Sequence, residues 1–223
     1  MDFRHEHKHE ISFADMLTIR SRMRAVGQLD PHAIDGKYKI RSLYFDTPTD
    51  RALREKLDGV NSREKFRIRY YNDDTSLIHL EKKSKQNGLG NKQSAQISAD
   101  EARMIAAGDI DFMYSHSHPL VRELYAKMRT QGLRARTIVD YTREPFVYAP
   151  GNVRVTLDYD IRTGLSSVDL LAPDLPTVPV KGSPIILEVK WDEYLPSIIR
   201  DAVGLEDRRA GAFSKYAACR EYD

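Results

Sequence analysis

Along much of the chain, hydrophobic and polar residues alternate with a period of two, the mark of strands whose two faces meet different surroundings. The alternation is cleanest over Asn152–Arg162, where Val153, Val155, Leu157, Tyr159 and Ile161 oppose Arg154, Thr156, Asp158, Asp160 and Arg162. Glu64–Lys85 reads as two strands joined by a turn at Asn72-Asp73-Asp74. Phe66, Ile68 and Tyr70 oppose Lys65, Arg67 and Arg69; Ile78 and Leu80 then oppose Glu81, Lys83 and Lys85. The same pattern predicts strands at Phe3–Ile11, Lys37–Asp46, Lys92–Ser98, Leu133–Val147 and Pro184–Lys190, with a Gly/Asn turn over Gln86–Asn91 and a proline-rich loop over 163–184.

Helix signals fall between these strands. Ser12 and Asp15 form a capping-box pattern before a helix whose buried stripe is predicted as Phe13, Met16, Leu17 and Met23. Thr47-Pro48 opens a short helix ended by Gly59, and further helices are predicted at about 99–107, 117–130, 195–204 and 211–219. His5, His7 and His9 share a strand face with Phe3 and Ile11, and packing beneath a helix is expected for them rather than metal binding.

Eight such strands predict one α+β domain over residues 1–223: an eight-stranded antiparallel β-barrel with helices on its outside. If apolar faces lined the interior, the helices would have only charged strands to pack on, so the charged faces are expected inside. That places ten bases in the tunnel, Arg4, Lys8, Lys65, Arg67, Arg69, Lys83, Lys85, Arg143, Arg154 and Lys190, against five acids, Glu6, Glu81, Asp158, Asp160 and Glu188. Like charges 4 Å apart repel by about 4 kcal/mol at an effective dielectric of 20. The excess calls for a bound polyanion, for which the arginine fork suits phosphate oxygens. Glu188 above all is a hard oxygen ligand suited to Mg²⁺ or Mn²⁺.

Composition narrows the classes. Charged residues are 30% of the chain but the net charge is only +2, so a polybasic nucleic-acid binder is excluded and positive charge must be concentrated locally. Cys219 stands alone, which excludes an intramolecular disulfide and suits a reducing compartment. The charged start MDFRHEHKHE has no signal-peptide core, and no run approaches the roughly 18 apolar residues of a membrane helix. A cytoplasmic protein is expected.

The ordered motifs FRHEHKHEI, IRSLYFDT, REKFRIRYY, LEKKSK, VDYTREPF, VRVTLDYDIR, ILEVKW and FSKYAACR resemble the VTC domain, the polyphosphate polymerase domain within the CYTH-like triphosphate tunnel metalloenzymes, over residues 3–220. The resemblance implies ATP and inorganic polyphosphate as substrates, with Mn²⁺ or Mg²⁺. It implies catalytic roles for Lys8, Arg67, Arg69, Lys83 and Arg143, and metal binding by Glu188 with Glu6 or Asp158. Contacts to substrate or polymer are expected from Arg4, Lys65, Lys85, Lys92, Tyr141, Arg154, Lys190, Ser214 and Lys215. Where many relatives begin E-x-E-x-K, this chain has Arg4, giving R-x-E-x-K; one carboxylate is replaced by a cation, which suits a polymerase over a two-metal hydrolase. Hydrolysis of tripolyphosphate, thiamine triphosphate or a nucleoside triphosphate, and non-catalytic polyphosphate binding, are the alternatives. A separate membrane protein is a further candidate partner.

Overall fold

The computed structural model describes residues 4–86, 89–204, 211 and 213–222. Its centre is one antiparallel sheet built from β1 (His5–Ile11), β3 (Tyr38–Asp46), β4 (Arg63–Tyr71), β5 (Asp74–Gln86), β6 (Leu89–Ile97), β7 (Arg134–Tyr148), β8 (Val153–Thr163) and β10 (Ile185–Trp191). The order across the sheet is β1-β10-β8-β7-β3-β4-β5-β6; β2 (Gln28–Leu29) adds to β7 and β9 (Val178–Pro179) to β8. Among the described residues, six α-helices cover it: α1 (Phe13–Val26), α2 (Arg51–Leu57), α3 (Ala99–Ala107), α4 (Pro119–Gln131), α5 (Ser197–Val203) and α6 (Lys215–Cys219).

The sheet is curled. β5 and β10 stand five strands apart in the sheet order, about 24 Å on a flat sheet. Yet Lys83 of β5 lies within electrostatic range of Lys190 and Glu188 of β10, and all three line one cavity. The expected tunnel is therefore present as an open, half-barrel form of the eight-stranded sheet, with β1 and β6 as its ends.

Amphipathic strands explain which face turned inward. The outward side chains Leu43, Phe45, Phe66, Ile68, Tyr70, Ile78 and Leu80 form one core beneath α3 and α4. Val153, Val155, Leu157, Leu187 and Val189 form another beneath α1 and α5. A third cluster, Ile40, Tyr44, Val139, Tyr141, Ile161, Ile186, Tyr216 and Cys219, packs α6 against the inner face of the sheet.

Several local expectations change. Phe13 and Leu17 are 63% and 46% exposed, and the buried stripe of α1 is Met16, Ile19 and Met23; the helix is rotated so that its Met face meets the sheet. His5 and His7 are exposed, and both rings pack against Trp191 of β10 instead. Phe3 lies outside the described residues, and β1 begins at His5. The predicted turn at Gln86–Asn91 is mostly strand: β5 runs to Gln86 and β6 resumes at Leu89, with 87 and 88 outside the described residues. Asp160 takes φ +49° and is exposed, flipping the alternation so that Ile161 joins the interior cluster and Asp160 points to solvent.

The β7–β8 turn fixes the mouth. Gly151 has φ +72°, and a Cβ there would lie 2.5 Å from the Tyr194 carbonyl oxygen. Its own carbonyl accepts from the Asp192 amide (3.1 Å), and Asp192 holds Arg4 (2.7 Å). Gly151→Ala should destabilise the fold by roughly 1–3 kcal/mol; an unchanged denaturation midpoint would show that the turn relaxes freely.

Candidate active site

Each inward side chain is placed by strand parity. Lys8 and Glu6 project from β1, Glu188 and Lys190 from β10, and the register sets Lys8 opposite Glu188 and Glu6 opposite Lys190. Opposite charges therefore alternate in both directions on this wall. Lys8 Nζ stands 3.0 Å from Glu6 and 3.4 Å from Glu188; Lys190 Nζ stands 3.3 Å from Glu6 and 2.6 Å from Glu188. Burial alone would push Glu188 up, but Lys190, Lys8 and Arg143 outweigh it and hold its carboxyl well below the usual carboxylate range. Glu188 is thus an anion at any working pH.

The facing wall is cationic. Arg67 Nε donates to Glu81 (2.7 Å), and its Nη1 donates to the Tyr44 hydroxyl (3.0 Å). Glu81 also takes Lys92 (2.5 Å). Arg69 has no carboxylate partner among the described residues: its Nε donates to Ser42 (2.8 Å) and its Nη2 to the Tyr141 hydroxyl (3.0 Å). Lys83 has no ion-pair partner among the described residues, and Arg67, burial and Lys190 together depress its pKa well below the usual lysine value. A site built this way spends energy holding its charges apart until an anion arrives.

Between the walls, Arg143 grips Asp158 with two parallel bonds, Nε to Oδ1 at 2.6 Å and Nη2 to Oδ2 at 2.7 Å. Lys215 of α6 adds a third contact at 2.6 Å. Burial raises Asp158, and Arg143 with Lys215 brings it down to about 2. Tyr141 lies under this group: Arg69, Arg143 and Lys215 all stand over its ring.

These groups converge. Arg4, Arg67, Arg69, Lys83, Lys92, Arg143, Arg154, Glu188 and Lys190, nine of the residues expected from sequence, line one inner chamber of about 190 Å³. Lys8, Glu6, Tyr141, Asp158 and Lys215 stand directly behind that lining through the contacts above. Arg154 pairs with Asp30 (3.0 Å) at the rim. Ser214 caps α6 by accepting from the Ala217 amide (3.3 Å), a role that orients Lys215. Lys65 and Lys85 line a neighbouring cleft rather than the chamber. Three tyrosines were not anticipated there: Tyr44 deep beside Arg67, and Tyr38 and Tyr71 in the lining. Their strand parity, the same as that of Ser42 and Arg69, was the available signal.

The donor set suits one hard divalent ion shared with substrate. Among the described residues no three His, Cys, Asp or Glu side chains gather into a metal cage. Mg²⁺-type ions are commonly held by one or two carboxylates plus substrate phosphates. Glu188 and Glu6 meet that description, each ion-paired with Lys8 and Lys190; Asp158 is held by Arg143 through two hydrogen bonds and by Lys215 through a third.

Residues 3–222 match the model of the VTC domain family. The chain belongs to the VTC domain family. No curated protein matches the sequence. Among solved structures, the chain is similar to a Bacillus halodurans protein described as a putative adenylate cyclase, at 14% identity and TM-score 0.51 over 85% of this chain and 80% of that one. It is also similar to the PH1819 protein of Pyrococcus horikoshii OT3, at 15% identity and TM-score 0.49 over 98% of each chain. For this VTC domain, the Bacillus protein speaks to fold alone. With the family and the chamber together, the chain is a polyphosphate-related tunnel protein that handles phosphoryl groups. No described helix is long and apolar enough to cross a membrane.

Proposed function

We propose that this VTC domain is a polyphosphate polymerase that moves the γ-phosphate of ATP onto the end of an inorganic polyphosphate chain. The observation that carries the reading is the convergence of Arg67, Arg69, Lys83, Arg143 and Glu188 on one chamber, with Lys83 and Arg69 holding no carboxylate partner among the described residues. A lining with unmatched cations binds phosphate oxygens and stabilises charge spread over a transferring phosphoryl group.

Arg67 and Arg69 orient the phosphates from β4, Lys83 from β5, and Arg143 from β7, so the donor is gripped from several sides. Lys8 and Lys190 hold Glu188 and Glu6 in place for a divalent ion. Mn²⁺ or Mg²⁺, held by Glu188 and Glu6, would supply positive charge to offset that of the phosphates. The acceptor's terminal phosphate oxygen is already anionic at neutral pH, so no general base is required; alignment is the main task. Lys215, held against Asp158, would add positive charge from behind the chamber lining at the α6 end.

The test is direct. Protein with ATP and Mn²⁺ should yield long polyphosphate on a gel, and a chelator should stop it. Release of short phosphate without polymer would make the protein a hydrolase. Tight polyphosphate binding with ATP left intact under every divalent metal would make it a binding module.

A further inference from the structure

The barrel wall has an opening between β3 and β4. These strands pair from Ile40 with Tyr71 to Tyr44 with Arg67, and no further. Past a register shift at Tyr44/Phe45, β3 continues on β7 alone, with Phe45 opposite Ala135 and Asp46 opposite Arg134. β4 continues on β5 alone, from Lys65 opposite Lys83 to Arg63 opposite Lys85. A bulge bends its strand, so the two strands splay apart, and the segment joining them, which carries α2, borders the gap. The result is a cleft of about 700 Å³, with α4 along its outer side.

The cleft reaches the chamber at one cross-strand pair. Lys65 lines the cleft and its partner Lys83 lines the chamber; Cβ atoms of such a pair lie about 5 Å apart. The lining carries Arg51, Arg63, Lys65, Lys82, Lys85 and Lys127 against Asp46, Glu55 and Glu64. Those acids are committed. Asp46 accepts from the Thr47, Ala52 and Leu53 amides and from Tyr216. Glu55 takes Arg51 (2.7 Å), and Glu64 takes Lys82 and Lys127. Arg63 donates to the Val60 carbonyl (2.6 Å). Lys65 and Lys85 have no carboxylate partner among the described residues. Burial, with Arg67 and Lys8 nearby, pushes the Lys65 ammonium down to about 8, against the pull of Tyr44. The cleft is thus built with cations to spare, as the chamber is.

We propose that this side cleft is a second polyanion subsite, holding the run of polyphosphate that extends beyond the phosphates gripped in the inner chamber. The inference rests on the reading of the chamber as a polyphosphate site. It makes affinity depend on chain length: tripolyphosphate fills the chamber alone, while a long chain engages both.

The double variant Arg63→Ser/Lys127→Ser tests it, with isothermal titration of tripolyphosphate, ATP and a long-chain inorganic polyphosphate. Wild-type protein should bind the long chain more tightly than tripolyphosphate. The variant should lose about ten-fold or more in long-chain affinity, the scale of one or two charge-assisted contacts, while tripolyphosphate affinity stays unchanged and certifies the fold. Arg63→Glu, at the half-buried start of β4, should show the same selectivity. Unchanged long-chain affinity, or equal loss for both phosphates in both variants, overturns the inference. Weakened ATP binding with the long chain unaffected also overturns it, since the cleft would then hold the nucleoside. Wild-type protein that fails to bind tripolyphosphate overturns the chamber reading itself.

Discussion

Arg143→Ala should lower polymer synthesis by about 100-fold or more and destabilise the protein at the same time. The activity term is that of removing one preorganised donor from a charged transition state, about 10²–10³ in turnover. The stability term comes from Asp158, which is fully buried and keeps only Lys215 once the guanidinium is gone. Deleting one partner of a buried ion pair costs about 3–5 kcal/mol, and the surviving lysine places the expected loss at the lower end. Arg143→Lys separates the two effects. It restores a charge beside Asp158, and with it most of the stability, but a single ammonium cannot reproduce the paired bonds to Oδ1 and Oδ2. Its turnover should remain well below wild type. Normal polymer synthesis by Arg143→Ala, judged on gels at matched folded concentration, would remove this residue from the site.

Much of that site could be read before any fold was known, because strand parity converts sequence position into a face. Arg67, Arg69, Lys83, Arg143 and Glu188 were placed together by alternation and by the need of outer helices for apolar strand faces, and they line one chamber. Two failures share a cause: parity breaks wherever the backbone leaves the regular strand. Asp160 was assigned inward, but its positive φ flips the chain, and Ile161 takes the interior. The β3–β4 opening follows from a register shift at Tyr44/Phe45, which no residue type announces. Phe13 and Leu17 fit a helical stripe as well as Ile19 does; which arc faces inward is decided by the sheet beneath, not by the helix. His5 and His7 of β1 had Trp191 as their partner, far away in sequence and brought close through the β1–β10 pairing.

Tyrosine 44 should make the ligand-free protein more stable as pH rises from 7 toward 10, and bound phosphate should erase that trend. Its ring stacks on Tyr216 of α6 (5.1 Å), its hydroxyl accepts from Arg67 (3.0 Å), and Lys65 and Arg67 stand near its ring. Burial would push the hydroxyl up, but Arg67, Lys65 and Arg69 outweigh it and bring it down to about 7. A free tyrosine in the unfolded chain titrates near 10. Between those values the unfolded chain holds a proton that the folded chain has released, so folding stability rises with pH. Lys65 acts in the same direction: folded near 8 against an ordinary 10.5, it sheds its unfavourable charge above pH 8. Together they amount to something on the order of 2–4 kcal/mol between pH 7 and 9. The phenolate then serves as the internal counter-ion of a cation cluster in which Lys65, Arg69 and Lys83 have no carboxylate among the described residues. Tripolyphosphate would replace it, returning the proton to Tyr44 and the charge to Lys65, so binding takes up protons and weakens as pH climbs through 8. Denaturation midpoints of wild type and Tyr44→Phe across pH 6.5–9.5, with and without tripolyphosphate, read this out, alongside the tyrosinate ultraviolet band. The wild-type advantage should widen with pH when the protein is empty and stay flat when it is loaded; parallel profiles in both conditions would show that Tyr44 keeps its proton throughout.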